Sequence, residues 1–302
     1  MGAIEVERVV KRHGTVEALR GVSLSVERGE LFGVIGPDGA GKTTLFRLLA
    51  TLTTADSGRA LVEGLDAARE YRRIRPRVGY MPGRFSLYPD LTVEENLRLF
   101  ATVFHATVEE NYALVKDIYE PLHPFRRRRA AALSGGMKQK LALCCTLIHE
   151  PSVLLLDEPT TGVDPVSRED LWDILCRLKQ RGITIMVSTP YMDEAKLCDR
   201  VALMQEGRFL DVATPREIVA RHGRTTWAAR SDKMSRLLVD LRANPAVECC
   251  FAFGDAHHAT PRAGASIARL RSDMEVAGHR EVDIREIEPG IEDCFIRVAG
   301  HS

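Results

Sequence analysis

Residues 36–44 read GPDGAGKTT, a glycine-rich run ending in a lysine and two threonines. It follows the apolar run LFGVI and opens KTTLFRLLATL, whose apolar residues fall at helical spacing. A loop of this composition between a strand and a helix is suited to holding phosphate. The glycines let backbone N–H groups point inward around the oxygens, and the helix N-terminus adds its positive end. The residues expected around the phosphates are Gly36, Pro37, Asp38, Gly39, Ala40, Gly41, Lys42, Thr43 and Thr44. Lys42 reaches the outer phosphates, and Thr43 offers its hydroxyl to Mg²⁺. A second run, VLLLDEP, carries two acids before its final proline. At the end of a neighbouring strand, Asp157 suits Mg²⁺, usually through water. Glu158 suits a base that orients an attacking water.

The rest of the chain supplies elements that could position these groups. IEVERVV and GVSLSVE alternate apolar and polar residues, as half-buried strands do. LFGVIG, VGYM, VLLLDE, ITIMVS and VALM are short Val/Ile/Leu-rich runs, several of them separated by helical segments. This pattern predicts a doubly wound α/β sheet covered on both faces, with an antiparallel portion at the front. Between Gly83 and Ile148 the strand runs stop. LTVEENLRLFATVF opens with Thr92 and Glu95 at capping-box spacing, and Val93, Leu97, Phe100 and Phe104 share one helical face. A helical subdomain inserted at about 84–148 follows. Beyond Pro215 the character changes: TTWAAR, VECCFAF and VDIREIE read as strands, KMSRLLVDLRAN and SIARLRSDMEVAG as helices. These predict a small α+β extension over 222–302.

Composition narrows the function classes. The 302 residues carry 42 Lys and Arg against 42 Asp and Glu, so net charge gives no general case for nucleic acid or an anionic surface. The seven cysteines form no C-x-x-C pair and several lie in apolar runs, which predicts buried cytosolic thiols. The opening MGAIEVERVVKRHG lacks the apolar stretch of a signal peptide, and no run approaches the roughly 18 apolar residues of a membrane span. Any work at a membrane is therefore expected from one side.

LSGGMKQK, residues 133–140, decides between phosphate-loop families. With the motifs above, the chain resembles the ATP-binding subunit of ABC transporters over about residues 3–220. That resemblance implies a P-loop NTPase core, with a mixed and mainly parallel sheet, in a domain spanning 1–220. It implies ATP and Mg²⁺ as cofactors, Glu158 as the catalytic base, and Thr43 and Asp157 at the metal. His13 falls where relatives stack an aromatic ring on adenine. Ser134, Gly135, Gly136 and Gln139 would bind ATP held by a second protomer, which implies a head-to-tail dimer, homomeric or heteromeric. TTGVDP is similar to the D-loop, with Asp164 at its acidic position, and EPGIEDCFI is similar to the ending of drug-export subunits. In those relatives the membrane half is a separate polypeptide. The resemblance thus implies a multi-span membrane partner, no nucleic acid, and a cytoplasmic, peripheral place on the inner face of the membrane. It also marks Gly83–Asp90 and the helical subdomain as the docking surface.

Two positions depart from the family pattern besides the imidazole at His13 and the acid at Asp38. The switch histidine, which touches the γ-phosphate and the attacking water, falls on Pro190. The glutamine that links metal site to membrane subunit falls on Gly83. Proline and glycine supply no side-chain donor, so ATP is expected to bind while turnover is slow, or to depend on Thr189 or Tyr191. With Glu158 retained, ordinary hydrolysis stays open, as does a regulatory subunit paired with a competent sister. The run RRRR at 126–129 is either a solvated face or a contact with a membrane partner or lipid headgroups. Long coiled-coil arms and an N-K-x-D motif are absent from the sequence, which disfavours DNA-repair ATPases and GTPases.

Overall fold

The computed structural model describes residues 2–83 and 87–300. Arg84, Phe85 and Ser86, inside the expected docking segment, lie outside the described residues. The chain divides into two compact units, 1–215 and 216–302.

In the first unit, β1 (Ile4–His13), β2 (Val16–Val26), β4 (Ser57–Val62) and β5 (Leu65–Asp66) form an antiparallel sheet in the order β2-β1-β4-β5. The second sheet contains β3 (Leu31–Ile35), β6 (Val78–Met81), β7 (Val153–Asp157), β8 (Thr184–Thr189), β9 (Arg200–Gln205) and β10 (Arg208–Ala213). Its order is β10-β9-β3-β8-β7-β6, parallel except for the β9–β10 edge. Every residue of β3, β7 and β8 is buried, as their unbroken apolar runs require for strands covered on both faces. The fold is therefore α/β, with a mixed and mainly parallel sheet.

Helix α1 (Lys42–Leu49) follows β3, and α2 (Tyr71–Ile74) leads into β6. Leu45, Phe46 and Leu49 of α1 join Phe32, Val153 and Leu155 in one apolar core with residues of the antiparallel sheet. The helical insertion holds α3 (Val93–Val103), α4 (Tyr112–Tyr119) and α5 (Gly135–Leu147). Thr92 caps α3 as its spacing predicts: its hydroxyl accepts from Glu95 N at 3.2 Å, and Glu95 accepts from Thr92 N at 2.8 Å. Helix α6 (Pro165–Gln180) connects β7 to β8.

The second unit begins with α7 (Pro215–His222) and holds β11 (Thr226–Arg230), α8 (Met234–Ala243), β12 (Val247–Phe253) and β13 (Ala256–Pro261). Then come α9 (Ile267–Val276), β14 (Asp283–Ile287) and α10 (Ile291–Ala299). The antiparallel order β12-β13-β11-β14 with a βαββαβ succession is ferredoxin-like. Trp227, Leu237, Leu241, Cys250, Leu270 and Ile284 are buried in its own core. Two elements go beyond the sequence reading. In β13 two adjacent histidines interrupt the apolar pattern, and the EPGIEDCFI tail turns helical from Ile291. Asp293 explains much of that tail. One of its oxygens accepts from Gly290 N at 2.8 Å to cap α10, and the other pairs with His258 at 2.9 Å.

All seven cysteines are free. Burial pushes the thiols of Cys144, Cys145 and Cys198 well up, that of Cys250 to about 12 and that of Cys294 to about 11. None of these five is poised as a thiolate nucleophile.

Candidate functional site

The phosphate loop lies between β3 and α1 as its sequence predicts. Gly41 precedes α1 with φ of +109°, and a Cβ there would stand 2.4 Å from the carbonyl oxygen of Ala18. Only glycine fits both the backbone and the space. Gly36 N donates to Thr189 O at 3.3 Å, and Gly207 N to Ala40 O at 2.9 Å, so the loop is fixed at both ends. Lys42 is 3% exposed. Its ammonium donates to Gly36 O at 2.8 Å and Pro37 O at 3.0 Å and pairs with Glu158 at 3.2 Å.

The two acids sit at the end of β7. Asp157 is buried and accepts from Ser188 Oγ at 2.6 Å. Glu158 N donates to both Ser188 O and Ser188 Oγ at 3.0 Å. Glu158 itself has φ of +52°, a left-handed conformation that costs a non-glycine residue about 1 kcal/mol. This fixed turn holds its carboxylate on the wall of a cavity of about 310 Å³, with Lys42, Thr43 and Thr44. The same cavity is lined by Val16, Glu17, Ala18, Arg20, Glu206 and Gly207, which the sequence reading does not single out. They arrive through β2 and the β9–β10 turn, and Arg20 N donates to Gly207 O at 2.8 Å to join the two. His13 lies outside this lining, exposed at the end of β1 and 3.4 Å from the Thr44 hydroxyl.

Asp157 and Thr43 offer the hard oxygen donors that suit Mg²⁺. Among the described residues, no group of three His, Cys, Asp or Glu could hold a metal by itself. A cation here would take its other ligands from phosphate and water, as Mg²⁺ usually does.

A second cavity, of about 220 Å³, gathers Gly83, Gly135, Gln139, Thr161 and Gly162. Ser134 caps α5, its hydroxyl accepting from Met137 N at 3.3 Å. A Cβ on Gly136 would stand 2.4 Å from Ser167 Oγ, so the glycine corner is pressed against the start of α6. Asp164 caps α6 through Ser167 N at 3.0 Å, and that backbone hydrogen bond lowers its pKa. At Gly83, a Cβ would lie 3.0 Å from Asp157 O, which places this position against the acidic turn. The two cavities share no lining residue.

Pro190 follows the last residue of β8. Neither expected substitute lines the Lys42 cavity. Thr189 is completely buried and its hydroxyl accepts from Tyr191 N at 3.0 Å. The Tyr191 ring lies 4.0 Å from the Arg168 guanidinium. Arg168 also pairs with buried Glu194 at 3.7 Å, and Glu194 accepts from Thr160 Oγ1 at 3.1 Å. The turn after Pro190 is thereby tied to the segment 160–168.

The description "ABC transporter" matches residues 19–161. Over 308 residues the chain is 33% identical to the daunorubicin resistance ATP-binding protein DrrA2 of Streptomyces coeruleorubidus, covering 99% of this chain and 95% of that relative. The chain belongs to the ABC transporter family. Within it, the similarity is to ATP-binding subunits of the drug-export type. The chain is also 40% identical over 292 residues to the "Probable multidrug ABC transporter ATP-binding protein YbhF" of Escherichia coli (strain K12). That match covers 94% of this chain and 49% of YbhF, so the chain spans about half that relative's length. Among solved structures, cbiO1 from Clostridium perfringens, part of the ABC transporter complex cbiONQ, superposes with a TM-score of 0.65 at 27% identity. It covers 72% of this chain and 91% of its own. Among the described residues of this ABC-family chain, no helix is long and apolar enough to cross a membrane.

Proposed function

We propose that this chain is the ATP-binding and ATP-hydrolysing subunit of an exporter, working on a separately encoded multi-span membrane subunit from the cytoplasmic face. The observation that carries this reading is the separation of two half-sites. Lys42, Thr43 and Glu158 line one cavity, while Gly135, Gln139 and the 161–163 segment line another that shares none of its residues. A second ATP-binding chain, placed head to tail, would bring each Ser134 corner to the triphosphate held by the other. Phosphate oxygens arriving at the loop would take over Lys42 from its present carbonyl partners and from Glu158. That exchange leaves the Glu158 carboxylate available to orient water. Mg²⁺, held by Thr43 and Asp157, would neutralise charge on the phosphates.

The test uses Glu158→Gln, which keeps the side-chain shape and removes the base. With saturating ATP and Mg²⁺ it should elute as a stable dimer in size-exclusion chromatography with light scattering. A variant that binds ATP and stays monomeric would overturn the two-chain reading.

Pro190 and Gly83 favour a second reading, a regulatory ATP-binding subunit with little hydrolysis of its own, paired with a competent sister. Loss of one aligned transition-state donor costs about 3 kcal/mol, or a factor of roughly 10²–10³ in rate. Two such losses need not add when they serve one constellation. Co-purification of a different ATP-binding chain would support this reading over a homodimer.

A further inference from the structure

The four consecutive arginines at 126–129 belong to no part of the nucleotide site. Their backbone is fixed. Arg126 O and Arg128 O accept from Glu94 N and Val93 N, each at 3.0 Å, so the run itself satisfies the first donors of α3. Arg129 forms a bridge with Thr92, and Ala130 N and Ala131 N donate to Leu91 O and Pro89 O at 2.8 and 2.9 Å. The turn is stapled to the 88–92 segment, and its side chains project from a rigid base.

The charge on this turn is poorly compensated. Arg127, Arg128 and Arg129 are exposed and Arg126 is half-buried. Arg126 donates to His123 O at 3.5 Å, and Arg128 lies 4.7 Å from the Phe125 ring centroid, but none of the four makes an ion pair with a described residue. Nearby acids are occupied or few. Glu94 is paired with Arg98 at 2.6 Å, and Glu95 is committed to the capping box while its carboxyl also feels the Arg129 charge. That leaves exposed Asp90 and, across a cavity shared with Arg126, Glu109. Beside the turn, Tyr88 is 55% exposed. A chain whose charges cancel overall thus concentrates positive charge and an amphipathic ring on one edge of the helical insertion.

We infer that this edge docks on the anionic headgroup layer of a membrane. Guanidinium forks match phosphate oxygens bidentately, and tyrosine favours the headgroup level. Arg126 turns toward a cavity of about 510 Å³ shared with Glu94, Glu109 and Tyr112, while Arg127, Arg128 and Arg129 are exposed. Three adjacent exposed guanidiniums complement a layer of phosphates. The inference rests on the proposed membrane-side role. It adds that the protein meets the lipid itself, through a turn whose carbonyls hold the N-terminus of α3.

The experiment is co-sedimentation of the full chain with phosphatidylcholine vesicles, with and without about one-third phosphatidylglycerol. Binding should need the anionic lipid and weaken as salt is raised. Arg127 and Arg129 are exposed, so Arg127→Gln/Arg129→Gln removes charge with the capping carbonyls kept. A thermal midpoint equal to wild type shows that losing the Arg129 charge beside Glu95 leaves the fold intact. At about fivefold per arginine, the double variant should bind roughly 25-fold more weakly. Equal binding to neutral vesicles, or full binding by the variant, overturns the inference. So does capture on immobilised polyglutamate without vesicle binding, which would point to an acidic protein instead. A fluorescent ATP analogue is titrated into the same samples. Intact nucleotide binding with no vesicle binding removes this inference alone, while loss of both removes the subunit reading as well.

Discussion

At the scale of single residues, the proposed function separates holding a nucleotide from turning it over. The groups that would hold phosphate are rigid: Lys42 is bound to two loop carbonyls, and Gly41 has space for no other residue. The position that would stabilise transferring charge is Pro190, with neither an N–H nor a polar side chain. Its neighbours do not compensate, because the Thr189 hydroxyl is buried against Tyr191 N and the Tyr191 ring lies close to Arg168. Pro190→His should therefore raise steady-state phosphate release by about tenfold to a hundredfold. Glu158→Gln serves as the zero of that assay. An unchanged rate would show that the proline costs nothing. The loop and both acids were legible because each motif is contiguous and its backbone context is local. Val16, Arg20 and Glu206 were not, since they reach the cavity only once separate sheets are assembled.

At the scale of elements, a buried ion pair links the turn after β8 to α6. Glu194 is 2% exposed, and its partner Arg168 stands at 3.7 Å, too far for a hydrogen bond. Removing the cation strands a buried carboxylate, so Arg168→Ala should destabilise the first unit by about 3 kcal/mol. Adding Glu194→Ala should recover part of that loss, and denaturant titration of the single and double variants measures the coupling. Simple additivity would mean that the pair is not one interaction. Asp164 supplies a pH dependence at the other end of this segment. Its pKa is lowered from 3.8 by the Ser167 backbone hydrogen bond, so the folded state prefers the carboxylate. That contribution is present above the unfolded value and is lost as pH falls through the lowered folded one. Thermal midpoints of wild type and Asp164→Asn should therefore converge as pH drops below about 4, and parallel curves would contradict the cap. Elements with one uniform environment were the readable ones: β3, β7 and β8 are buried throughout and read as unbroken apolar runs. Strand β13 has no such run. Its buried His257 is held by a 2.7 Å hydrogen bond to Met234 O, a tertiary contact with no local signal.

At the scale of the whole molecule, each unit carries its own core and its own reporter. The chain has two tryptophans; Trp172 is buried in the first unit and Trp227 in the second, at 3% and 4% exposure. Every residue lining the Lys42 cavity belongs to the first unit. A ligand that binds only the folded state stabilises the unit that holds it, by about 2.7 kcal/mol at a hundred times its Kd. Trp227→Phe leaves Trp172 to report the first unit, and Trp172→Phe leaves Trp227 to report the second. With ATP and Mg²⁺ added to the Glu158→Gln background, the unfolding free energy reported by Trp172 should rise by that amount, and its denaturant midpoint should move up accordingly. The midpoint seen by Trp227 should stay where it was. If both transitions rise together, the second unit shares the nucleotide's stabilisation, and its ferredoxin-like sheet becomes part of the ATP-bound assembly instead of a separately folding attachment.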